Sequence, residues 1–186
     1  MKIMAGLIDP DEGRVVSNSA KVVYLPQIDE FNLDLSVEET VVRRLTEEYG
    51  DIEAKVRAAR FISQVGFSET DQKVSELSGG WRKRLSLAIS LAKDPDLLLL
   101  DEPSNHLDLA GLLWLEQLLS QAKFSWVMIS HDRYLLERTA SQICEVAPYY
   151  DDGVLKIKGS YSEFIEKRSE LWQQQLSELA LSLIHI

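Results

Sequence analysis

The amino-acid sequence predicts an α/β fold whose sheet is mostly parallel. The run Leu97–Leu100 is too short for a helix and lies between an Asp-Pro and an Asp-Glu-Pro turn. Such a run is typical of a strand that is buried on both faces, as in parallel sheets. Further runs predicted as strands alternate along the chain with helical patterns, and this alternation also favours a parallel sheet.

The segment that follows Leu77 begins with Ser-Gly-Gly and then has helical periodicity. Its apolar residues have the spacing of one buried helix face: Trp81, Leu85, Ala88, Ile89 and Ala92. Two glycines at a helix start leave unhindered N–H groups that suit a phosphate. Asp101 and Glu102 follow the leucine strand at its carboxyl end, where open α/β sheets place ligands. A phosphate cradle beside a carboxylate pair predicts nucleoside triphosphate chemistry.

The N-terminal segment is predicted as the last turns of a helix followed by two short strands. Met1–Leu7 has the helical pattern with Gly6 as its C-cap. Arg14–Ser17 and Lys21–Leu25 are the β-branched runs predicted as strands.

Two helices are expected next. Ser36 and Glu39 form a capping box, which predicts a helix that ends near Tyr49. Asp51 is a candidate cap for a second helix that ends near Val65.

The remaining elements are expected to continue the alternation. Asp108 is predicted to cap a helix, and Ser160 begins a second capping box. In chain order the predicted elements are a helix over Leu109–Ala122, a strand over Ser125–Ser130, a helix over Asp132–Thr139, a strand near Ile143–Val146, a hairpin over Tyr149–Ile157 with Tyr149 and Tyr150 at its strand edge, and a polar helix from Ser160 through Gln175.

Composition restricts the protein class. The chain has 186 residues, 45% of them apolar and 27% charged, which fits a globular domain and argues against disorder. The net charge of −10 argues against a generic nucleic-acid binder. No run approaches the roughly 18 apolar residues of a membrane span. Cys144 is the one cysteine, which fits a reducing cytosol, and we expect it to be a small buried residue.

Four motifs in order resemble those of the nucleotide-binding domains of ABC ATPases. Leu77–Ala88 resembles their signature motif, and Leu97–Asp108 resembles Walker B followed by the D-loop. Gln27 resembles the Q-loop glutamine, and His131 resembles the switch histidine. The resemblance implies a P-loop NTPase-like ABC cassette with a mostly parallel sheet, a helical subdomain at about 36–92 and an incomplete first βα unit.

Other residues resemble the ABC-F class within this family. Trp81 stands where most transporters carry Gln, and Asn105-His106 and Asp132-Arg133 are typical of ABC-F proteins. The run Gly111–Glu116 is similar to the first cassette of Uup-type proteins.

The resemblance also implies a domain organisation. Residues 1–159 would form a partial cassette, and residues 160–180 would begin the linker helix between two cassettes. Residues 181–186 have no counterpart in the family and resemble a translated sequencing adaptor, so we expect a non-native tail. The Walker A motif precedes the first helix in this family, yet no Gly-Lys-Ser or Gly-Lys-Thr occurs in the chain. We therefore expect an N-terminally truncated cassette with negligible ATPase activity by itself.

The resemblance assigns ATP and Mg²⁺ as cofactors and gives four residues a role in hydrolysis. Asp101 would hold Mg²⁺ through a water, and Gln27 would ligate Mg²⁺ or a water. Glu102 would be the general base for the attacking water, and His131 would donate to the γ-phosphate. If the resemblance to the family is left aside, Asp101 and Glu102 could simply cap the following loop.

The remaining site residues would face a second ABC cassette, in the same full-length chain or in a homodimer. Ser78, Gly79 and Gly80 would bind the γ-phosphate of the nucleotide held by that cassette, in a head-to-tail sandwich. Ser104 and Asp108 of the D-loop would line the same interface.

We therefore expect part of a cytoplasmic ABC-F ATPase that acts on ribosomes, in translation, or on nucleic acid, without direct membrane insertion. One alternative is the ATP-binding subunit of an ABC transporter. Another is a non-catalytic module that lends its signature helix to a partner's nucleotide.

Overall fold

The computed structural model describes residues 1–150 and 152–184, which fall into two compact units. The first unit is Met1–His131, and the second begins at Asp132. In chain order the elements are β1 (Val22–Leu25), α1 (Val37–Gln64), a 3₁₀ turn (Val74–Glu76), α2 (Gly79–Ala92), β2 (Leu97–Asp101), α3 (Leu109–Ser120), β3 (Ser125–Ile129), α4 (Arg133–Thr139), β4 (Gln142–Val146), β5 (Val154–Lys158) and α5 (Tyr161–Ile184).

The first unit is built on a three-stranded parallel sheet in the order β1-β2-β3. The leucine strand β2 is central, and Leu98, Leu99 and Leu100 are fully buried. Leu25 pairs with Leu100, and Asp101 pairs with Ile129, so the carboxyl ends of the three strands meet at one edge. The α/β class and the parallel sheet predicted from the leucine run are confirmed.

Helices α1 and α2 pack against each other and form the helical part of the first unit. Ser36 caps α1, because its hydroxyl accepts from the Glu39 amide while the Glu39 carboxylate accepts from the Ser36 amide. Gly50, at φ 75°, interrupts the helical backbone, so α1 is two helical segments joined by a kink. The capping box and the division near residue 50 follow the sequence prediction.

The second unit contains α4, an antiparallel hairpin and α5. In the hairpin β4 pairs with β5, from Gln142 opposite Lys158 to Val146 opposite Val154. Ser160 and Glu163 form the expected capping box, with the Ser160 amide 2.8 Å from Glu163 Oε2. Trp172 of α5 lies 5.2 Å from the Tyr149 ring, centroid to centroid.

Several local predictions are wrong. Met1–Leu7 forms hydrogen-bonded turns without a regular helix, although Gly6 has the positive φ of 69° expected of a cap. Arg14–Ser17 forms no strand, because no neighbouring strand in the described residues pairs with it. Tyr149 and Tyr150 lie in the loop between β4 and β5.

Cys144 is exposed, although the sequence predicted a buried residue. It lies in a hairpin of two strands, where alternate residues point to opposite faces. The local pattern did not reveal which face Cys144 occupies.

The proposed domain boundaries at residues 159/160 and 180/181 stay predictions. Of the predicted tail, residues 181–184 continue the backbone of α5, and residues 185 and 186 lie outside the described residues. Among residues 1–150 and 152–184, no helix has the combined length and apolar character that crossing a bilayer requires.

Candidate active site at the carboxyl edge of the sheet

Parallel pairing brings four of the candidate residues to one edge of the sheet. Asp101 is the last residue of β2, and Glu102 follows it. Gln27 stands two residues after β1, and His131 stands two residues after β3. Because the three strands run in the same direction, these positions converge outside their carboxyl ends, where open α/β sheets bind ligands.

Glu102 is held firmly by its backbone. Its amide donates to the carbonyl of Ile129 at 2.9 Å, and its φ is 45°, a left-handed conformation that non-glycine residues rarely adopt. Backbone strain of this kind is concentrated at functional sites. The residue as a whole is 7% exposed, so the carboxylate is enclosed by protein.

The two oxygens of the Glu102 carboxylate differ in their contacts. Oε2 accepts a hydrogen bond from the His131 amide at 3.4 Å. Oε1 lies 3.3 Å from Nε2 of His131 but without hydrogen-bond geometry, so within the described residues this buried atom has no hydrogen-bond partner. A buried acceptor without a donor is rare in folded proteins. It leaves the carboxylate with an oxygen that is available to accept a proton, as a general base requires.

His131 extends the site toward solvent. Its side chain is 96% exposed even though its ring lies beside Glu102. A ring in this position can contact a bound ligand on one side and the carboxylate on the other. This geometry agrees with the placement expected for a switch histidine, while its role stays a prediction.

Asp101 accepts a hydrogen bond that the sequence analysis missed. The Tyr24 hydroxyl donates to Asp101 Oδ2 at 2.7 Å. Burial, together with the hydrogen bond to Asp101, raises the pKa of Tyr24 to about 12. Tyr24 stands out in the sequence as the hydrogen-bonding side chain of β1, but its partner depends on the register of two distant strands.

Lys83 of α2 is a second residue at this edge that the sequence analysis missed. Its Nζ donates to the carbonyls of Pro26 at 2.8 Å, Gln27 at 3.3 Å and Asp101 at 3.4 Å. Burial lowers the pKa of Lys83 to about 8, although Asp101, Asp29 and Glu102 oppose that shift through their negative charges. The amine is therefore still protonated at neutral pH.

The start of α2 packs closely on the segment after Glu102. A Cβ at Gly80 would lie 2.8 Å from the carbonyl oxygen of His106, and a Cβ at Gly79 would lie 3.2 Å from the His106 Cβ. Ser78 caps the helix by accepting from the Trp81 amide at 3.4 Å. The glycines thus serve close backbone approach, in addition to the phosphate binding that the sequence predicts for them.

Ser104 and Asp108 also lie in the segment that joins β2 to α3. The Ser104 and Ser130 hydroxyls are 3.3 Å apart, which connects this segment to the residue before His131. Asp108 caps α3, since its Oδ1 accepts from the Gly111 amide at 2.8 Å. The cap is confirmed, and the contact of both residues with a second cassette stays a prediction.

Asp101 and Gln27 carry oxygen atoms of the kind that Mg²⁺ takes as ligands. No cluster of three or more His, Cys, Asp or Glu suited to a metal occurs in residues 1–150 and 152–184. Mg²⁺ is usually held by one or two carboxylates together with substrate phosphates and waters. Asp101 and Gln27 would be its protein ligands, beside the buried Glu102.

Comparisons with known proteins identify the family of this chain. The family described as "ABC transporter" matches residues 1–105. "ABC transporter F family member 5" from Arabidopsis thaliana is 28% identical, over 96% of this chain and 33% of that protein. "Energy-dependent translational throttle protein EttA" from Escherichia coli O6:H1 is 31% identical, over 97% of this chain and 39% of that protein.

A solved structure is also similar. It is the complex of the archaeal ribosomal stalk protein aP1 with the archaeal ribosome recycling factor aABCE1, with a TM-score of 0.61 and 25% identity. The similarity covers 79% of this chain and 29% of that chain. The chain thus spans 33% and 39% of the two relatives described above. From the matched family and these relatives, the chain belongs to the ABC family and is an ABC-F nucleotide-binding domain.

Proposed function

We propose that this chain is part of a cytoplasmic, Uup-like ABC-F ATPase that binds and hydrolyses ATP together with a second cassette. The observation that carries the proposal is Glu102, a residue 7% exposed whose carboxylate keeps one buried oxygen without a hydrogen bond from residues 1–150 or 152–184. That oxygen lies at the strand edge beside Asp101 and His131. Phosphoryl transfer needs such positioned groups more than it needs covalent chemistry.

In this proposal each residue at the edge has its own task, and Glu102 and the adjacent His131 act together as one unit. Glu102 Oε1 accepts a proton from the attacking water, and His131 contacts the γ-phosphate from its exposed position. Asp101 and Gln27 hold the metal, and Tyr24 keeps one Asp101 oxygen in place. Bound Mg²⁺ supplies charge stabilisation on the transferring phosphate.

In this proposal the start of α2 binds the nucleotide that the second cassette holds. The first-turn amides at Gly79 and Gly80, with the Ser78 hydroxyl, offer donors at the positive end of a helix of 14 residues. Close packing on His106 ties these donors to the segment that carries Ser104 and Asp108. Both segments would then meet the second cassette together.

The ribosome is the target that we propose for the whole protein. The relative EttA is named a translational throttle protein, and the similar solved structure contains a ribosome recycling factor. Co-sedimentation with ribosomes in the presence of ATP is the expected result. Reproducible co-purification with an integral membrane partner, without ribosomes, would instead favour a transporter subunit.

We also propose that the 186-residue chain does not turn over ATP by itself. It contains no Gly-Lys-Ser or Gly-Lys-Thr, and the amides and Lys of such a loop supply much of the transition-state stabilisation. The purified chain should release phosphate no faster than its Glu102→Gln variant. Turnover clearly above that control would contradict this part of the proposal.

Catalysis by Glu102 can be tested in a chimera that carries a phosphate-binding loop. A strand and a loop of the pattern G-x-x-x-x-G-K-[ST] are fused before Met1, and ATP hydrolysis is measured. Glu102→Gln should lower turnover by about 10²–10⁴-fold without weakening ATP binding. Glu47→Gln, a change at an exposed position on α1, is the matched control. An active chimera whose Glu102→Gln variant turns over ATP equally fast would exclude Glu102 as the base.

A further inference from the structure

Lys83 is buried against three backbone carbonyls. It is 6% exposed, and every other lysine in the described residues is at least partly exposed. Its Nζ contacts the carbonyls of Pro26, Gln27 and Asp101 at 2.8, 3.3 and 3.4 Å. An ammonium has three donors and no acceptor, so three carbonyls match its hydrogen-bonding capacity.

The three carbonyls lie just beyond the end of strand pairing between β1 and β2. The last pair of that ladder is Leu25 with Leu100. Pro26 follows and has no N–H, so it cannot donate a further ladder hydrogen bond. Beyond this point the Lys83 ammonium connects the two segments. It binds the carbonyls of Pro26 and Gln27 after β1 and the carbonyl of Asp101 at the end of β2.

A second contact from α2 holds the same segment further along. The Ser86 hydroxyl donates to Asp29 Oδ2 at 2.8 Å. Ser86 lies three residues after Lys83, so the two side chains share one face of the helix. Removing the ammonium should therefore release Gln27 and Ile28 and leave Asp29 attached to α2.

We infer that Lys83 is a positioning residue whose ammonium fixes Gln27 relative to Asp101 beyond the end of the β1–β2 ladder. The purpose of this contact rests on the proposed function, because Gln27 and Asp101 are the proposed ligands of Mg²⁺. The contact itself does not depend on the proposed function, and it can be measured without nucleotide. Failure of the ATPase proposal would therefore leave this test unaffected.

The first measurement uses the unmodified 186-residue chain. Nitrogen-detected NMR at pH 6 should show a slowly exchanging Lys83 ammonium with through-hydrogen-bond couplings to the carbonyl carbons of Pro26 and Gln27. The signal does not depend on any variant that could fail to fold. A rapidly exchanging ammonium without these couplings would overturn the inference.

The second measurement compares backbone order parameters in variants. Gln27 and Ile28 should be rigid in the unmodified chain, near an order parameter of about 0.85, and should fall below about 0.6 in Lys83→Met. Lys83→Gln, whose amide can still donate, should restore an intermediate value. Strand β2 should be unchanged throughout, and Lys123→Met provides the control at an exposed lysine. Unchanged order parameters at Gln27 and Ile28 in folded Lys83→Met or Lys83→Gln would contradict the inference.

Discussion

The strand edge and the start of α2 both belong to the proposed site, but they are constructed in opposite ways. At the strand edge, the carboxylates are positioned by donors from neighbouring elements, as Asp101 is by Tyr24. At the start of α2, side chains are absent, and Gly80 lets the helix approach the His106 carbonyl. The edge is therefore sensitive to the removal of functional groups, and the helix start is sensitive to added atoms.

Adding one methyl group at Gly80 should have the largest effect on stability. In Gly80→Ala the new Cβ would lie 2.8 Å from a backbone oxygen that cannot easily move. We expect the free energy of unfolding to fall by about 1–3 kcal/mol, as in other overpacked sites. Urea unfolding of the 186-residue chain measures it.

Gly79→Ala is the matched control for that prediction. Its Cβ would lie 3.2 Å from the His106 Cβ, a contact that a displacement of a few tenths of an ångström relieves. Equal losses of unfolding free energy in the two variants would show that the close approach of the His106 carbonyl is not what requires glycine at position 80.

Removing one hydroxyl at the strand edge should have the next largest effect. Tyr24→Phe keeps the ring and deletes the 2.7 Å hydrogen bond to Asp101, which should cost about 1–2 kcal/mol of unfolding free energy. Tyr134→Phe, at a side chain that is 84% exposed, should change stability negligibly.

The same tyrosine predicts a pH dependence. The folded-state pKa of Tyr24 is raised from 10.0 to about 12 by burial and by the hydrogen bond to Asp101. The folded chain therefore keeps a proton that the unfolded chain loses in this interval. The stabilisation is complete below about pH 10 and is lost as pH rises toward 12. Tyrosinate absorbance of the folded chain should show a tyrosine that titrates near pH 12, and this titration should be missing in Tyr24→Phe.

The smallest effect is expected for Arg44, an exposed cation that holds the segment also held by Lys83. Its Nη2 lies 3.3 Å from Asp29 Oδ1 and 2.6 Å from the Glu30 carbonyl, but its side chain is 45% exposed. Solvent screening limits such pairs, so Arg44→Met should change the unfolding free energy by about 0.5 kcal/mol or less. A loss as large as that of Tyr24→Phe would mean that exposure does not weaken this contact.

The features predicted correctly from the sequence depend on neighbouring residues. The capping boxes at Ser36 and Ser160 and the cap at Asp108 each need a partner three residues away, and that spacing is visible in the sequence. The leucine run that forms β2 is likewise a pattern of adjacent residues. These patterns were sufficient for the α/β class and for the strand end that carries Asp101 and Glu102.

What the sequence did not predict depends on distant pairing. Tyr24 meets Asp101 because of the β1–β2 register, across 77 positions of sequence. Lys83 lies in a basic run that could equally be solvated, and its burial depends on the packing of α2. The strand predicted at Arg14–Ser17 is wrong for the same reason, because β-branched composition does not supply a partner strand.

The central claim is that Glu102 and His131 act as one unit at the strand edge, and a double-mutant cycle tests it most directly. ATP turnover of the chimera with the added phosphate-binding loop would be measured for Glu102→Gln, His131→Ala and the double variant. Because the two side chains lie 3.3 Å apart, the double variant should be about as slow as the slower single variant. Effects that multiply independently in the double variant would contradict the account.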